Sequence, residues 1–330
     1  MTDPSAAPDS PAAHTARLTI WTNFTLLPPQ ARQILCQRAA PHRVIFSSLA
    51  PDPQLAEADI AFGQPDVQQV IDLPALRWIH ISTAGYSRYD REDVRRALRA
   101  RGAIMTNASW VYDEPCAQHV LAMMLGLARQ LPAALDNQRT ARSWPITAIR
   151  DASFLLNGQS VLLVGYGAIA RRLAELLAPF GMKLTGVRRT PRGNEAVPVV
   201  SVDRIDQLLP EAYHVVNILP ASPQTARFFD ADRLARIKPG ARFYNIGRGS
   251  TVDQAALRQC LESGRLAAAY LDVTSPEPLP PDDPLWSTPN CYITPHTAGG
   301  HHGEYLRQVE HFLENLSRFQ RGLELRNRVI

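Results

Sequence analysis

One stretch constrains the fold more than any other: Ser160-Val161-Leu162-Leu163-Val164-Gly165-Tyr166-Gly167-Ala168-Ile169-Ala170, an apolar run that meets closely spaced glycines and then an amphipathic pattern. Val161 to Val164 read as a buried parallel strand, and Ile169, Leu173, Leu176 and Leu177 recur at helical spacing after the turn. A strand, a tight turn and a helix in that order place free N–H groups and the positive end of a helix dipole where a pyrophosphate can sit. Gly165 permits the turn and Gly167 lets phosphates approach the backbone. Ala170, in place of a third glycine, adds one methyl and still allows close helix–strand packing. Tyr166, Gly167, Ala168 and Ile169 are therefore candidate dinucleotide ligands. In isolation the same pattern also describes a glycine turn in an ordinary α/β core, and the rest of the chain has to separate the two.

A chain of 330 residues is long enough for two domains, and 45% apolar against 20% charged residues is ordinary globular composition. Residues 1–16 are rich in Ala, Pro, Ser and Asp and lack the basic start and apolar core of a signal peptide, so a disordered tail is expected there. No apolar run reaches membrane-spanning length. Cys36, Cys116, Cys260 and Cys291 stand far apart, which argues against a zinc site and against a disulfide framework. The expectation is a cytoplasmic protein with no metal. The net charge of +4 is small and the arginines are spread along helical patterns, so nucleic acid is not an expected partner, although an anionic ligand would be welcome.

From Leu18 to Ile104 short apolar runs alternate with helical patterns, with strands expected at Leu18–Trp21, Arg43–Phe46, Ile60–Phe62, Trp78–Ile81 and Ile104–Thr106. The fourth strand ends in Ser82-Thr83-Ala84-Gly85-Tyr86. Small residues there can turn the N–H groups of Ala84 and Gly85 toward a carboxylate, or can simply form a turn that uses Gly85 for its dihedral angles. His80 lies inside the apolar alternation and reads as a core side chain. A long helix is expected from about Glu114 toward Leu131, where Pro132 interrupts it, and a second helical pattern runs from Ala133 to Arg142. Its broad apolar side must be covered, either within the chain or by a second subunit.

After the glycine turn, Lys183–Val187 makes a strand that ends at Arg188-Arg189-Thr190, about twenty positions beyond Gly167. An acidic side chain there would accept hydrogen bonds from an adenosine ribose, whereas guanidinium groups attract a 2′-phosphate. Arg188, Arg189 and Thr190 therefore favour NADP(H) and leave NAD(H) open, the bland reading being a solvated basic loop. Further strands are expected at His214–Leu219, Ala241–Ile246, Ala267–Val273 and Cys291–Thr294, with helical patterns between most of them. Regular alternation of this kind means a doubly wound parallel sheet, whose carboxyl-end loops converge on one crevice. Leu219, Pro220, Thr225, Ile246, Gly247 and Asp272 are the further cofactor candidates in those loops, together with Arg248 and His296.

Three residues in these loops carry reaction chemistry. Arg248 sits between two glycines, which would let the backbone turn and leave its guanidinium fork free to reach a carboxylate and a carbonyl oxygen together. Glu277 stands in a Pro-Glu-Pro setting, and His296 follows Pro295 and precedes Thr297-Ala298-Gly299-Gly300. A carboxylate beside an imidazole fixes its tautomer and favours its protonated form, which suits a proton donor near neutrality. A capping arginine, a solvated glutamate and a packed histidine are the separate alternatives.

With these residues in view, the sequence resembles the D-isomer-specific 2-hydroxyacid dehydrogenases from about residue 18 onward. The resemblance rests on Gly165-Tyr166-Gly167-Ala168-Ile169-Ala170, on Asn245-Ile246-Gly247-Arg248-Gly249 with Val252-Asp253, on Leu271-Asp272-Val273 with Glu277-Pro278-Leu279-Pro280, and on Thr294-Pro295-His296. The run Asp272-Val273-Thr274-Ser275-Pro276-Glu277-Pro278-Leu279-Pro280 is similar to glyoxylate/hydroxypyruvate reductases.

The resemblance implies an α/β fold of two Rossmann-like doubly wound domains, with a dinucleotide-binding domain (108–296) inserted in a smaller flavodoxin-like substrate domain (17–107 and 297–330). It implies a homodimer built on an arm at about 114–145, with Trp144 reaching the partner's substrate site. It also implies reduction of a small 2-keto acid such as glyoxylate or hydroxypyruvate by hydride transfer from NADPH. In that reaction Arg248, Glu277 and His296 would be catalytic, and Ala84, Gly85 and Arg248 would hold the substrate. A cofactor-sensing binding protein of the corepressor kind is the non-enzymatic alternative. Asn107-Ala108-Ser109-Trp110, Ala117-Gln118-His119 and Ser82–Tyr86 depart from the family pattern, and formate dehydrogenases resemble a pattern with Gln in place of Glu277.

Overall fold

The computed structural model describes residues 17–330, so the expected N-terminal tail lies outside the described residues. The chain divides into two compact units, one formed by the residues up to Val111 with His301–Ile330, the other by Tyr112–Gly300. In sequence the second is therefore inserted in the first.

The first unit is built from β1 (Thr19–Thr22), α1 (Pro29–Arg38), β2 (Arg43–Phe46), β3 (Ile60–Gly63), α2 (Val67–Asp72), β4 (Trp78–Ile81), α3 (Glu92–Ala100) and β5 (Ile104–Asn107). The strands form one parallel sheet in the order β2-β1-β3-β4-β5, the flavodoxin-like arrangement. β3 and β4 are buried along their whole length, as expected for inner strands covered on both faces. One face is closed by the last helix of the chain, whose Val309, Phe312, Leu313, Leu316 and Phe319 recur at helical spacing and pack with Leu18, Ile20, Phe62 and Trp78. Phe312 stacks on Phe62 at 4.5 Å and on Trp78 at 5.0 Å between ring centres. Ring pairs of this kind add about 0.5–1.5 kcal/mol to the burial itself. Val70 from α2, with Val94 and Leu98 from α3, covers the other face. His80 is buried within this unit, its Nδ1 2.8 Å from the Thr106 hydroxyl.

The second unit continues with α4 (Ser109–Ala128, whose first turn belongs to the first unit), α5 (Leu131–Arg139), α6 (Ile146–Ala152), β6 (Ser160–Val164), α7 (Ala168–Leu177) and β7 (Lys183–Arg188). Then come β8 (Val199–Ser201), α8 (Ile205–Leu208), β9 (His214–Asn217), α9 (Ala231–Arg236), β10 (Ala241–Asn245), α10 (Gln254–Glu262), β11 (Leu266–Leu271) and β12 (Cys291–Ile293). Helix α11 (Glu304–Gln320) is the one that returns to the first unit. The sheet of the second unit is parallel, in the order β12-β11-β10-β9-β6-β7-β8. Chain order reverses between β6 and β9, the switch point beside which ligands bind in open α/β sheets. Both sheets are thus Rossmann-like, in agreement with the fold class read from the sequence.

Three local expectations need correction. Helix α4 begins at Ser109 and carries Pro115 inside it, at the cost of one backbone hydrogen bond. Pro132 does not interrupt a helix: α4 has already ended at Ala128, Gln130 takes a left-handed conformation, and Pro132 sits in the first turn of α5, where its missing N–H costs nothing. The edge strand β8 has no counterpart in the sequence reading: Val199-Val200-Ser201 follows directly on Pro198 and shows no alternation. Among the described residues no helix is long and apolar enough to cross a membrane, and no group of three or more His, Cys, Asp or Glu side chains could hold a metal ion.

Two histidines in these cores make stability depend on pH. His214 is held by Tyr244 and by Gln159, and burial pushes its pKa down to about 3. Burial, helped by Arg326 and Arg307, takes His311 down to about 4. Both stay neutral in the folded chain below the pH at which the unfolded chain takes up protons, so stability falls as pH drops through 6.5 toward 4. His311 alone accounts for a loss on the order of 3 kcal/mol across that window. Urea unfolding at a series of pH values should show this descent, and a smaller one in His311→Gln; equal stability at pH 7 and pH 4 would contradict it.

Candidate active site

The cradle after β6 is shaped by absent side chains. Gly165 has φ of +98°, and a Cβ there would lie 2.9 Å from the Ile218 backbone, so both conformation and space require glycine. Gly167 caps α7, and a Cβ on it would find no atom nearer than 3.9 Å, which leaves the N-terminus of the helix open to a ligand. Ala168 and Ile169 follow in the first helical turn, whose N–H groups have no partner within the helix. Ala170 is fully buried against the strand. Tyr166 differs from its neighbours. Its ring is buried on Gly186, where any side chain would meet it at 2.5 Å, and its N–H donates to the Val187 carbonyl at 2.9 Å, so Tyr166 supports the turn from behind. An open helix N-terminus behind a glycine turn fits the pyrophosphate of a dinucleotide.

Arg188 closes β7, and Arg189 and Thr190 follow it exposed. The Arg188 guanidinium lies 3.5 Å from Glu195, whose carboxylate also accepts N–H bonds from Arg192 and Gly193 at 2.8 Å each. These backbone bonds, with Arg188 alongside, hold the Glu195 carboxyl below its ordinary pKa. Sequence reading missed Glu195; the question of what pairs with the three arginines of this loop could have found it. Across the switch point, Asn217 anchors the loop after β9, accepting from the Leu219 N–H and donating to Asn245 and Thr251. Thr225 closes the same loop, its hydroxyl donating to the Pro220 carbonyl at 2.6 Å and accepting from the Ser222 N–H at 2.9 Å.

The glycines around Arg248 have a different purpose from the one expected. Neither has positive φ. A Cβ on Gly247 would stand 2.5 Å from the Leu219 carbonyl oxygen, and one on Gly249 would stand 1.9 Å from that of Thr274. Glycine is needed here so that the loops after β9, β10 and β11 can touch backbone to backbone. Ile246 is buried ahead of them. Arg248 is half-buried, and its Nη1 donates to the Gly247 carbonyl at 2.6 Å, which fixes the side chain near its own backbone while a guanidinium retains further donors for a ligand.

Glu277 and His296 come together as expected. One Glu277 oxygen accepts the Thr274 N–H at 3.0 Å, and the other lies 2.9 Å from His296 Nδ1. With Nδ1–H given to the carboxylate, Nε2 of the half-exposed ring is the atom left to exchange a proton. His296 itself has φ of +54°, held by its N–H, which donates to the carbonyls of Asp272 and Thr294 at 2.8 and 2.9 Å. Asp272, expected to face the cofactor, is 2% exposed. Its carboxylate accepts from the Thr294 hydroxyl and from the N–H groups of Thr297 and Ala298, so it holds the histidine loop.

Two further candidates stand elsewhere. In the first unit, the carbonyls of Thr83, Ala84 and Gly85 are engaged by the Ala108 N–H, the Asn107 amide and the Thr83 hydroxyl. Among the described residues no protein acceptor faces the N–H of Ala84 or Gly85. The loop thus turns its acceptors inward and keeps donors available for an anion. Trp144, between α5 and α6, is 88% exposed.

Residues 121–298 match the family model described as the NAD binding domain of D-isomer specific 2-hydroxyacid dehydrogenases. A glyoxylate reductase of Korarchaeum cryptofilum is 32% identical over 258 residues, 76% of this chain and 74% of that protein. A glyoxylate/hydroxypyruvate reductase B of Escherichia fergusonii is 31% identical over 299 residues, 86% of this chain and 90% of its own. Among solved structures, a D-isomer specific 2-hydroxyacid dehydrogenase of Xanthobacter autotrophicus, in complex with NADPH and MES, superposes with a TM-score of 0.80 at 27% identity, covering 96% of this chain and 98% of that one. A glycine cradle at the switch point, an arginine loop packed on the segment that holds a glutamate–histidine pair, and these matches lead to one conclusion: the chain belongs to the D-isomer-specific 2-hydroxyacid dehydrogenases, oxidoreductases with an NAD-binding domain.

Proposed function

We propose that this enzyme reduces a small 2-keto acid, glyoxylate or hydroxypyruvate, to the D-2-hydroxy acid, with NADPH preferred over NADH. The observation that carries this reading is the Glu277–His296 pair at 2.9 Å on a segment packed against the Arg248 loop. When bound, the cofactor supplies the hydride that adds to the keto carbon. Arg248 binds the substrate carboxylate and polarises the carbonyl as its π electrons move onto oxygen. His296 gives its Nε2 proton to that oxygen, and Glu277 keeps the ring oriented and balances its charge. The N–H groups of Ala84 and Gly85 take the substrate carboxylate. The N–H groups of Ala168 and Ile169 hold the pyrophosphate, which approaches over the bare Gly167 while Tyr166 fixes the turn on Val187, with Leu219, Pro220, Thr225, Ile246 and Gly247 lining the same end of the sheet. In this reading Asp272 acts on the cofactor side through the loop it holds.

Arg188, Arg189 and Thr190 support NADP(H), and the Xanthobacter autotrophicus relative is in complex with NADPH. In Arg188→Asp the ratio of kcat/KM for NADPH over NADH should fall roughly 10–100-fold, the loss of one charge-assisted hydrogen bond to the 2′-phosphate. An unchanged ratio would remove Arg188 from the specificity site.

The dimer is proposed on the arm. Neither α5 nor α6 buries a residue in the single chain, and Leu131, Leu135, Trp144 and Ile146 are exposed along them, an apolar side that a second copy would cover. We place the enzyme in the cytoplasm. The functional reading is tested by NADPH and NADH oxidation across a panel of 2-keto acids. Turnover with glyoxylate or hydroxypyruvate is expected; turnover only with larger acids would move the substrate elsewhere in the family. Tight NADPH binding without turnover would favour a corepressor-like protein.

A further inference from the structure

The side chains of His119, Tyr270, Thr294 and Asp272 form one chain of hydrogen bonds, with Tyr270 and Asp272 buried and His119 and Thr294 half-buried, that the hydride chemistry does not use. Thr294 Oγ1 lies 2.6 Å from Asp272 Oδ1. The Tyr270 hydroxyl meets Thr294 Oγ1 on one side and His119 Nε2 on the other, and His119 Nε2 also lies 3.3 Å from Thr294 Oγ1. Proton counting fixes the direction. A carboxylate only accepts, so the single Thr294 hydroxyl proton goes to Asp272. Thr294 oxygen must then accept from Tyr270, whose own single proton is thereby committed, and Tyr270 oxygen must accept from His119 Nε2–H. Burial raises the Tyr270 pKa to about 12 and lowers that of His119, so the phenol keeps its proton and the imidazole stays neutral. Four groups from α4, β11, its following loop and the end of β12 thus point the same way, an arrangement in which each bond polarises the next.

We propose that Tyr270 and His119 are positioning residues for His296, acting through Thr294 and Asp272. The chain ends on the carboxylate that also receives the Thr297 and Ala298 N–H groups, immediately after His296 in sequence. His296 takes a left-handed backbone conformation, which a non-glycine residue keeps only where the surroundings impose it. Its imposed hydrogen bonds run to the carbonyls of Asp272 and Thr294, the two residues at the end of the chain. Freeing Thr294 from Tyr270 loosens both anchors, and with them the direction in which the imidazole presents Nε2. The inference rests on His296 being the proton donor.

The test is Tyr270→Phe, which removes both hydrogen bonds while keeping the ring, supported by Thr294→Ser and Thr294→Val. Tyr270→Phe and Thr294→Val should each lower kcat about tenfold, equivalent to one charge-anchored hydrogen bond, with the keto-acid KM and NADPH Kd within about twofold of wild type. Thr294→Ser, which keeps the hydroxyl, should retain wild-type kcat. In a His296→Ala background Tyr270→Phe should add no further loss, because the chain acts through that ring. An undiminished kcat in Tyr270→Phe beside an inactive His296→Ala would overturn the positioning role and leave the donor intact. An equal loss in both backgrounds, or a raised KM with unchanged kcat, would overturn it too. An active His296→Ala would instead reject the donor on which the inference rests.

Discussion

In His296→Ala, kcat should fall by about 10²–10⁴-fold, the usual contribution of a positioned general acid, while the Kd for NADPH stays within about twofold of wild type. The imidazole and Glu277 form a pair at 2.9 Å, and the Thr274 N–H fixes the other carboxylate oxygen, so the ring is held at one edge and free to exchange a proton at Nε2. Without it the alkoxide formed by hydride addition has to take its proton from water. The backbone of residue 296 is the point of risk, because φ is +54° there. Alanine tolerates that conformation less well than histidine, so His296→Asn is the companion variant: it adopts left-handed φ readily, and a similar loss of kcat there assigns the effect to the imidazole. Stopped-flow or steady-state turnover beside a fluorescence titration of NADPH separates chemistry from binding. Full turnover in either variant would remove His296 from the reaction.

Arg248→Ala should lower kcat/KM for the keto acid by about 10²–10³-fold, as expected for loss of a donor aimed at developing negative charge. Arg248→Lys should recover only a small part of it, since an ammonium cannot reproduce the planar fork that reaches carboxylate and carbonyl together. The structure makes this a clean substitution in one respect. The loop's shape comes from Gly247 and Gly249 lying against Leu219 and Thr274, and not from the arginine side chain, whose one side-chain hydrogen bond among the described residues goes to the Gly247 carbonyl. Thermal unfolding should therefore change little, and a large fall in Tm with a proportionate fall in activity would mean that the arginine is structural.

How far these residues were visible before the structure depends on how local their signals are. The unbroken apolar run Val161–Val164 and the Gly165–Gly167 spacing are local, and they mark β6, the turn and α7 within a residue or two. His296 and Glu277 could be paired because each follows an apolar strand in a sheet whose strand ends must converge. The reason for Gly247 and Gly249 was not legible: which backbones touch them depends on the packing of three separate loops, and one chain of letters carries no sign of it. Asp272 was assigned to the cofactor because it lies at a strand end, whereas its carboxylate is taken by Thr294, Thr297 and Ala298. His119 and Tyr270 are far apart in sequence, and each alone reads as a packed side chain. Pro132 misled for a physical reason, since proline is as much at home in a first helical turn as it is disruptive in an interior one.

The most direct test is the wild-type reaction with NADPH and hydroxypyruvate, whose product, unlike the glycolate formed from glyoxylate, is chiral, followed by chiral analysis of the glycerate formed. The account predicts consumption of NADPH and glycerate of D configuration. Formation of the L isomer, or no consumption of NADPH under conditions where the cofactor is bound, would contradict it.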